Sequence, residues 1–218
     1  MEKIIKIASK ELGIKEFRDP NENPKILKYG KETSLEMQDG DETPWCSIFL
    51  NWVCLKAGFE RSEKANARSW LNVGEETNNP EPGDIVVYWR NSPTSWKGHV
   101  GVFLGFSKNK KRIYTLGGNQ GNSVSVSAYD KDRLLQFRRL KKLNIKLTNK
   151  ELKRPDKGPE VASLQDALKM AGYNCGTSDG YYGPMTEKAI RKLQKDAGLS
   201  PNGTFTNETK TYLKSILN

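Results

Sequence analysis

The sequence predicts an α+β domain followed by a small three-helix domain, and three observations carry this prediction. Apolar residues recur at helical spacing in the first 71 residues. Short runs rich in β-branched and aromatic residues then lie between positions 84 and 127, and helices before strands are typical of an α+β domain. Helical spacing returns after position 158. We therefore expect domains at 1–140 and 158–218, joined by residues 141–157.

The start of the chain predicts one amphipathic helix. Apolar residues at positions 4, 5, 8 and 12 recur at helical spacing, so a helix is expected over residues 3–12, ending at Gly13. Asp19-Pro20 and Asn23-Pro24 then mark turns. Because the first residues contain no continuous apolar stretch and no cleavage site, we expect neither a signal peptide nor a membrane anchor.

A second helix carries the first candidate functional residue. Thr43 is a favoured N-cap, and Pro44 suits the first helical position because its missing N–H needs no partner there. This helix is predicted to end at Gly58, which places Cys46 at about its third residue. A third short helix fits residues 65–71.

Four short runs with strand composition follow Pro80-Glu81-Pro82-Gly83 and are separated by turn residues. They occupy residues 84–89, 99–104, 112–116 and 123–127. Beyond residue 158, two helical stripes and a helix over 207–217 predict a small bundle with Gly-rich turns. The pairs Leu164-Gln165 and Leu193-Gln194 form a weak internal echo within it.

The net charge of +10 is concentrated in the connecting segment. Residues 141–157 hold seven basic and two acidic side chains, a charge of +5 in 17 residues, while the two domains hold +4 and +1. Such a segment attracts polyanions over a long range. No nucleic-acid-binding motif accompanies it, so nucleic acid is not expected, and anionic cell-wall polymers are the favoured partners.

The content of cysteine and histidine limits the chemistry. Three cysteines in no metal-ligand spacing and one histidine make a zinc site and a disulfide scaffold unexpected, and we expect no cofactor. Cys54 lies among apolar residues in mid-helix and is interpreted as structural; Cys175 lies in a turn with no basic neighbour. Cys46 stands near a helix N-terminus, where unpaired N–H groups favour a thiolate, although a buried structural role is the common alternative.

His99 is the imidazole that could serve as the base for a thiol nucleophile, because the chain contains no other. It opens a predicted strand between two glycines. A third polar group usually orients such an imidazole. Asn119 is well placed for that role after the next strand, and Gln120 is its competitor; either could be a turn residue only.

Five segments of residues 1–140 resemble the CHAP and NlpC/P60 papain-like amidohydrolases in order and spacing, and they are closest to a subgroup common in phage lysins. These segments are Pro44-Trp45-Cys46-Ser47, Ser69-Trp70-Leu71, Pro82-Gly83-Asp84-Ile85-Val86, Gly98-His99-Val100-Gly101 and Gly117-Gly118-Asn119-Gln120. The resemblance implies a papain-like fold of helices and an antiparallel sheet.

The same resemblance implies Cys46 as nucleophile, His99 as base and Asn119 as orienting residue, with the backbone N–H of Cys46 in the oxyanion hole. Trp45, Trp70 and Gln120 are expected to contact the substrate. Ser47 stands where many relatives carry Ala, which should be harmless if the side chain points to solvent.

Residues 158–218 resemble the three-helix peptidoglycan-binding domain found beside many wall hydrolases. The resemblance rests on Val161–Gln165, Gly172-Tyr173, Asp179–Thr186 and Ala189–Gln194. One of Tyr181 and Tyr182 is expected to pack in the small core, and the other could stack on a sugar face.

An acidic cluster, Asp39-Gly40-Asp41-Glu42, precedes the nucleophile. Some relatives hold calcium near this point, but only two ligands of a calcium loop are evident, so a solvated turn is favoured and no metal is expected. 

The sequence thus predicts a peptidoglycan hydrolase of the endolysin type, a cysteine amidase or endopeptidase that cuts a stem-peptide or cross-bridge amide. We expect a monomer that binds peptidoglycan, does not insert into membranes, is made in the host cytoplasm and reaches the wall after release. Two alternatives stay open: an inactive or weakly active wall-binding protein, and a peptidoglycan-amidase toxin delivered into a rival cell.

Overall fold

The computed structural model of the protein describes residues 1–17 and 22–217. The predicted turn at Asp19-Pro20 lies outside the described residues. The chain divides into two compact units, Met1–Lys142 and Leu143–Asn218, and each has its own apolar core. The first unit combines helices with one antiparallel sheet and the second contains three helices, which confirms the predicted fold class.

Three α-helices and two 3-10 segments precede the sheet in the first unit. They are α1 (Glu2–Ser9), α2 (Pro24–Thr33), α3 (Cys46–Ala57), and 3-10 helices at Gly40–Glu42 and Ala67–Asn72. Helix α2 was not predicted, because Asn-Pro signals a helix start as well as a turn. The side chain of Asn23 accepts a hydrogen bond from the N–H of Lys25 at 2.9 Å, and Pro24 is the first helical residue.

Helix α3 begins two residues later than predicted. Trp45 is its N-cap and Cys46 its first residue, because Thr43 ends the 3-10 turn that precedes it. Gly58 ends the helix with φ +77°, as expected for a left-handed C-cap. Eleven of the twelve residues are buried, so α3 is the central helix of this unit.

The sheet has six antiparallel strands in the order β1-β6-β2-β3-β4-β5. Their bounds are β1 Glu75–Glu76, β2 Ile85–Trp89, β3 Gly98–Phe106, β4 Arg112–Gly117, β5 Ser125–Asp130 and β6 Leu134–Arg139. β5 lies two to three residues later than predicted, while β1 and β6 were not predicted. β6 was not predicted because Arg138 and Arg139 make its composition unlike that of a buried strand. It nevertheless pairs with β1 and with β2.

Both arginines have hydrogen-bond partners within the fold. Arg139 forms a bidentate pair with Asp84, whose carboxylate is fully buried, at 3.1 and 2.9 Å. Arg138 donates to the carbonyl oxygens of Val73 and Gly74 at 2.9 and 2.7 Å. The Pro-Gly-Asp motif before β2 is therefore a structural feature that ties β6 into the sheet.

The two faces of the sheet have different roles. Val87, Val100 and Leu116 face the core that contains α1 and α3. The other face carries Tyr88, Phe103 and a second apolar cluster. Tyr88 pairs directly with His99 across β2 and β3, and directly opposed residues share a face.

The second unit contains α4 (Pro159–Met170), α5 (Pro184–Asp196) and α6 (Asn207–Leu217). Buried Gln165 on α4 accepts a hydrogen bond from the N–H of Gly180 at 2.9 Å and donates to Thr186, which lies in the first turn of α5. Gln194 on α5 does the same for Gly203 and Thr209. The internal echo of the sequence is therefore a repeated helix–turn–helix connection built on a buried glutamine.

The segment predicted as a linker belongs mostly to the second unit. Leu152 is buried in its core, and its backbone exchanges hydrogen bonds with Phe205 at 3.1 and 2.8 Å. Isolated apolar residues in a lysine-rich stretch gave no periodic signal, so this packing could not be seen in the sequence. None of the described helices has the length and apolar content needed to cross a membrane.

Candidate active site

Cys46 lies at the N-terminus of α3 with 6% of its surface exposed. Burial raises the pKa of its thiol, and the guanidinium of Arg90 opposes this most strongly. The backbone N–H of Val100 and the first two N–H groups of α3 also lower the thiol pKa. The thiol therefore faces the backbone one residue beyond His99, in a group of donors that suits a negative charge.

His99 is fully buried in β3, and its two ring nitrogens have different surroundings. Nε2 lies 3.1 Å from Oε1 of Gln120, whereas Nδ1 is buried with no hydrogen-bond partner among the described residues. Burial, and next the charge of Arg90, lower the pKa of His99 to about 4, although the Gln120 contact acts in the opposite direction. The imidazole is therefore neutral at pH 7.

Gln120 determines which ring nitrogen carries the proton. Its amide nitrogen donates to the carbonyl oxygens of Ser125 and Thr115 at 2.5 and 3.3 Å, so its oxygen is left to face His99. An amide oxygen only accepts, and hence Nε2 carries the hydrogen. This leaves Nδ1 with a free lone pair, as a general base requires.

A close approach brings the Gln120 segment to the start of α3. A Cβ atom on Gly118 would lie 2.5 Å from the ring of Trp45 and 2.7 Å from Cβ of Phe49. Only glycine fits there. The glycine pair that precedes Asn119 and Gln120 is therefore what allows β4 to deliver a polar side chain to the imidazole.

The structure places Gln120, and not Asn119, at the imidazole. Asn119 is half-buried in a left-handed conformation, with φ +55°, and among the described residues its side chain forms no hydrogen bond. Left-handed backbone is common for Asn in turns, so Asn119 shapes the turn that directs the next side chain inward. The turn-residue alternative raised for this position fits it.

Two residues that sequence reasoning missed complete the site. The ring of Tyr129 on β5 stacks on His99, with ring centroids 5.0 Å apart. The second residue is Arg90, just after β2, whose charge acts on the hydroxyl of Tyr129. Burial raises the pKa of Tyr129 to about 12, and Arg90 acts against that rise. Strand alternation could have indicated Arg90. It lies two residues after Tyr88, which is paired with His99, and residues two apart in a strand share a face.

Two family models match the chain. The CHAP domain model matches residues 38–119, and a peptidoglycan binding domain model matches residues 157–213. The first unit therefore contains a CHAP domain, and the second contains a peptidoglycan-binding domain.

The N-acetylmuramoyl-L-alanine amidase CwlL of Bacillus licheniformis is 37% identical over 67 residues, which are 28% of this chain. The chain covers only 19% of that amidase's length. The SleB N-terminal domain, known from a crystal structure, is 32% identical, with a TM-score of 0.32. The matched region is 34% of this chain and 100% of the SleB chain. A second solved structure is that of a peptidoglycan-binding protein from Clostridioides difficile in complex with glutamine hydroxamate. It is 23% identical, with a TM-score of 0.31, and the matched region is 60% of this chain and 67% of that protein's chain. Neither TM-score is high enough to add to the fold assignment.

Three residues of the first unit that were expected to contact the substrate are buried. Trp45 and Trp70 are fully buried, and Gln120 is 6% exposed. The indole N–H of Trp45 donates to Glu16 at 2.8 Å, and that of Trp70 donates to Ser47 at 2.9 Å. The two indoles therefore build the core around the start of α3.

Ser47 does not point to solvent, contrary to the expectation for this position. It is fully buried, donates to the carbonyl oxygen of Lys64 at 2.7 Å and accepts the Trp70 indole N–H. Asn51, one turn later, donates to the Ser47 carbonyl oxygen at 2.9 Å. The hydroxyl is thus a hydrogen-bonding centre that fixes the first turn of α3.

Within the acidic cluster, Asp39 and Glu42 are exposed as expected of a solvated turn, but Asp41 is not. Asp41 is 2% exposed, and its carboxylate accepts backbone N–H groups of Asn23 at 2.7 Å and Phe17 at 3.3 Å. Across residues 1–17 and 22–217, no group of three or more His, Cys, Asp or Glu side chains is arranged to hold a metal ion. Asp41 therefore acts as a buried acceptor for backbone donors.

The remaining cysteines are buried thiols. Cys54 is fully buried, and Cys175 is 2% exposed with its sulfur donating to the carbonyl oxygen of Gln165. Burial raises the pKa of both thiols. These surroundings give neither thiol a base.

The two adjacent tyrosines of the peptidoglycan-binding domain differ in burial. Tyr182 is fully buried, and its hydroxyl donates to the carbonyl oxygen of Gly203 at 2.9 Å. Tyr181 is 37% exposed, and the ammonium of Lys157 lies 5.1 Å from its ring centroid. Of these two described tyrosines, Tyr181 is the one whose ring is exposed.

Proposed function

We propose that the protein is a peptidoglycan hydrolase in which Cys46 is the nucleophile, His99 the general base and Gln120 the residue that orients the imidazole. The observation that carries this proposal is the buried Nδ1 of His99, which has no partner while Nε2 is held by Gln120. Leaving a buried polar atom unpaired is costly, on the order of 1–3 kcal/mol. A proton-accepting role for Nδ1 accounts for that cost.

The reaction is a thiol acyl transfer. Nδ1 of His99 removes the Cys46 proton as the sulfur attacks the carbonyl carbon of an amide, and the oxyanion forms near the N–H groups at the start of α3. The protonated imidazole then gives its proton to the leaving amine. Water, activated by the same nitrogen, hydrolyses the thioester and releases the carboxylate.

The family of the second domain supports peptidoglycan as the substrate. A domain of this kind holds the chain on the polymer, so the catalytic unit encounters stem-peptide and cross-bridge amides at a high effective concentration. Tyr181 is the residue we assign to glycan contact, since its ring is exposed and its neighbour Tyr182 is not. Attraction of residues 141–157 to anionic wall polymers adds a salt-sensitive contribution.

A matched pair of cysteine variants tests the proposal. Cys46→Ala should abolish the fall in turbidity of a suspension of purified walls, because it removes the nucleophile. Cys54→Ala, on the same helix, should keep most of the activity, since that thiol only fills the core. Equal loss in both variants, with both proteins folded by circular dichroism, would show that Cys46 has no special role.

A further inference from the structure

A cavity of about 400 Å³ opens in the first unit where the turn between β3 and β4 meets the turn between β5 and β6. Its floor is aromatic: the rings of Phe106 and Phe137 meet edge to face, with centroids 6.0 Å apart. Polar groups at its sides come from Asn78-Asn79, Lys110 and Lys131. An apolar lining with a few polar groups, in a cavity of this size, is typical of a ligand site.

This cavity is separate from the pair of Cys46 and His99, although it shares a face of the sheet with His99. Phe137 belongs to the same apolar cluster as Tyr88, whose partner across the strands is His99. On β3, Phe106 comes seven residues after His99, a distance on the order of 20 Å at about 3.3 Å per residue. A ligand in the cavity therefore leaves the catalytic pair unoccupied.

Backbone contacts bring two lysines to this cavity. Lys110 has a φ of +56° in the turn between β3 and β4, and its N–H donates to the carbonyl oxygen of Ser107 at 2.8 Å. Lys131 begins the turn before β6, and its N–H donates to the carbonyl oxygen of Lys111 at 3.0 Å. Its ammonium lies 5.8 Å from the ring centroid of Phe106. Two turns that are distant in sequence thus place two cations at one cavity.

The charge around the cavity is not balanced by acidic side chains. Among residues 1–17 and 22–217, neither Lys110 nor Lys131 forms an ion pair, and the neighbouring Asp130 is paired with Arg112 at 3.3 Å. Residues 108–112 hold four basic side chains and no acidic one, a charge of +4 that equals the net charge of residues 1–140. Like charges repel each other, and an anion bound between them removes that repulsion. The cavity therefore favours an anionic ligand.

We propose that this cavity is a second ligand site of the first unit, and that its ligand is a wall polysaccharide whose charge is carried by phosphodiester groups. Lys110 and Lys131 hold a phosphate, which lysine binds as a point charge. A sugar ring packs on Phe106, and the amides of Asn78-Asn79 are hydrogen-bonding groups for its hydroxyls. Neighbouring phosphates of the polymer meet the rest of the +4 turn. The site holds the catalytic unit on the wall and takes no part in the reaction.

Isothermal titration calorimetry of the full chain with glucosylated poly(glycerol phosphate), a soluble polymer of this class, tests the proposal. The polymer contains no amide bond, so the proposed hydrolysis contributes no heat. The double variant Lys110→Gln/Lys131→Gln should bind about tenfold more weakly at low salt. The basic residues of 141–157 contribute the same background attraction in every variant.

The double variant Lys108→Gln/Lys111→Gln is the matched control. It removes the same charge from the same region, and both lysines are exposed but neither lines the cavity. Its affinity should stay within about twofold of the wild type, because only general attraction is reduced. Phe106→Leu keeps an apolar side chain in the cluster. It should weaken binding of the glucosylated polymer and leave binding of the unglucosylated polymer unchanged.

Equal losses of affinity in the two double variants, both folded by circular dichroism, would overturn the proposal, since a diffuse basic surface would then account for the binding. Absence of binding by the wild type would overturn it as well. Equal affinity of the wild type for hyaluronan, whose charges are carboxylates, would overturn the assignment to phosphate. These outcomes leave the proposed function untouched, because Cys46 takes no part in the binding that is measured.

Discussion

Protonation of His99 should destabilise the first unit in mild acid, and His99→Asn removes that effect. The imidazole is fully buried and borders the Arg90 charge, so the folded state disfavours the imidazolium. Its pKa falls to about 4 in the folded protein, against about 6.5 in an unfolded chain. The unfolded state therefore binds more protons between these two values.

The sign and size of the effect follow from this difference. A depressed folded pKa gives stability that is fully present above pH 6.5 and is lost as the pH falls towards 4. At pH 5 the wild type should have lost about 2 kcal/mol on this account, and about 3 kcal/mol at pH 4 and below. His99→Asn should be less stable than the wild type at pH 7.5 because it loses packing. Its free energy of unfolding should not contain the pH-dependent contribution of the imidazole.

Urea unfolding followed by Trp fluorescence measures the effect in the first unit, because all five tryptophans lie within residues 1–142. The comparison is the change in unfolding free energy between pH 7.5 and 5.0 in the wild type and in His99→Asn. Carboxylates titrate equally in both proteins and cancel in the difference. We expect the wild type to lose about 2 kcal/mol more than the variant.

Equal losses in the two proteins would refute the reasoning, since His99 would then have an ordinary pKa in the folded state. A greater loss in the variant would contradict it more strongly. Nuclear magnetic resonance of the one imidazole in the chain provides an independent check: its titration midpoint should lie near 4.

Three further predictions concern other parts of the molecule. Gln120→Leu should reduce wall lysis at least tenfold because it frees the ring of His99, whereas the activity of Asn119→Ala should stay within about twofold of the wild type. The reverse order in a turbidity assay would make Asn119 the orienting residue. Ser47→Ala leaves the buried indole N–H of Trp70 unpaired and should cost about 1–3 kcal/mol in urea unfolding, and an unchanged midpoint would contradict this. Removing residues 143–218 should leave a folded catalytic unit that no longer sediments with insoluble peptidoglycan at low salt; undiminished sedimentation would assign wall binding to the first unit.

The sequence was informative where a local signal has one physical meaning. Gly58 as a left-handed C-cap, the strand runs on both sides of the Arg90 turn and the three helices of the second unit were all predicted. Periodicity fixed these elements because burial on one face is a local property of the chain. The α+β class followed from the order of the elements alone.

The sequence was silent where long-range partners decide the outcome. The sequence favoured Asn119 over its neighbour Gln120 as the orienting residue, whereas the left-handed turn at Asn119 directs the Gln120 side chain towards His99. A Trp beside a nucleophile suggests a binding platform, yet Trp45 is in the core because Glu16, from a distant segment, satisfies its indole. Asp41 is buried for the same kind of reason.

The most direct test of the account is to identify the bond that is cut. Purified peptidoglycan is digested in water enriched in oxygen-18, and the released fragments are sequenced by mass spectrometry. The account predicts fragments with a new free amine and a new carboxylate that carries one oxygen-18, from the wild type and from Cys54→Ala but not from Cys46→Ala. Fragments cut in the glycan chain with every amide intact, or the same fragments from Cys46→Ala, would contradict it.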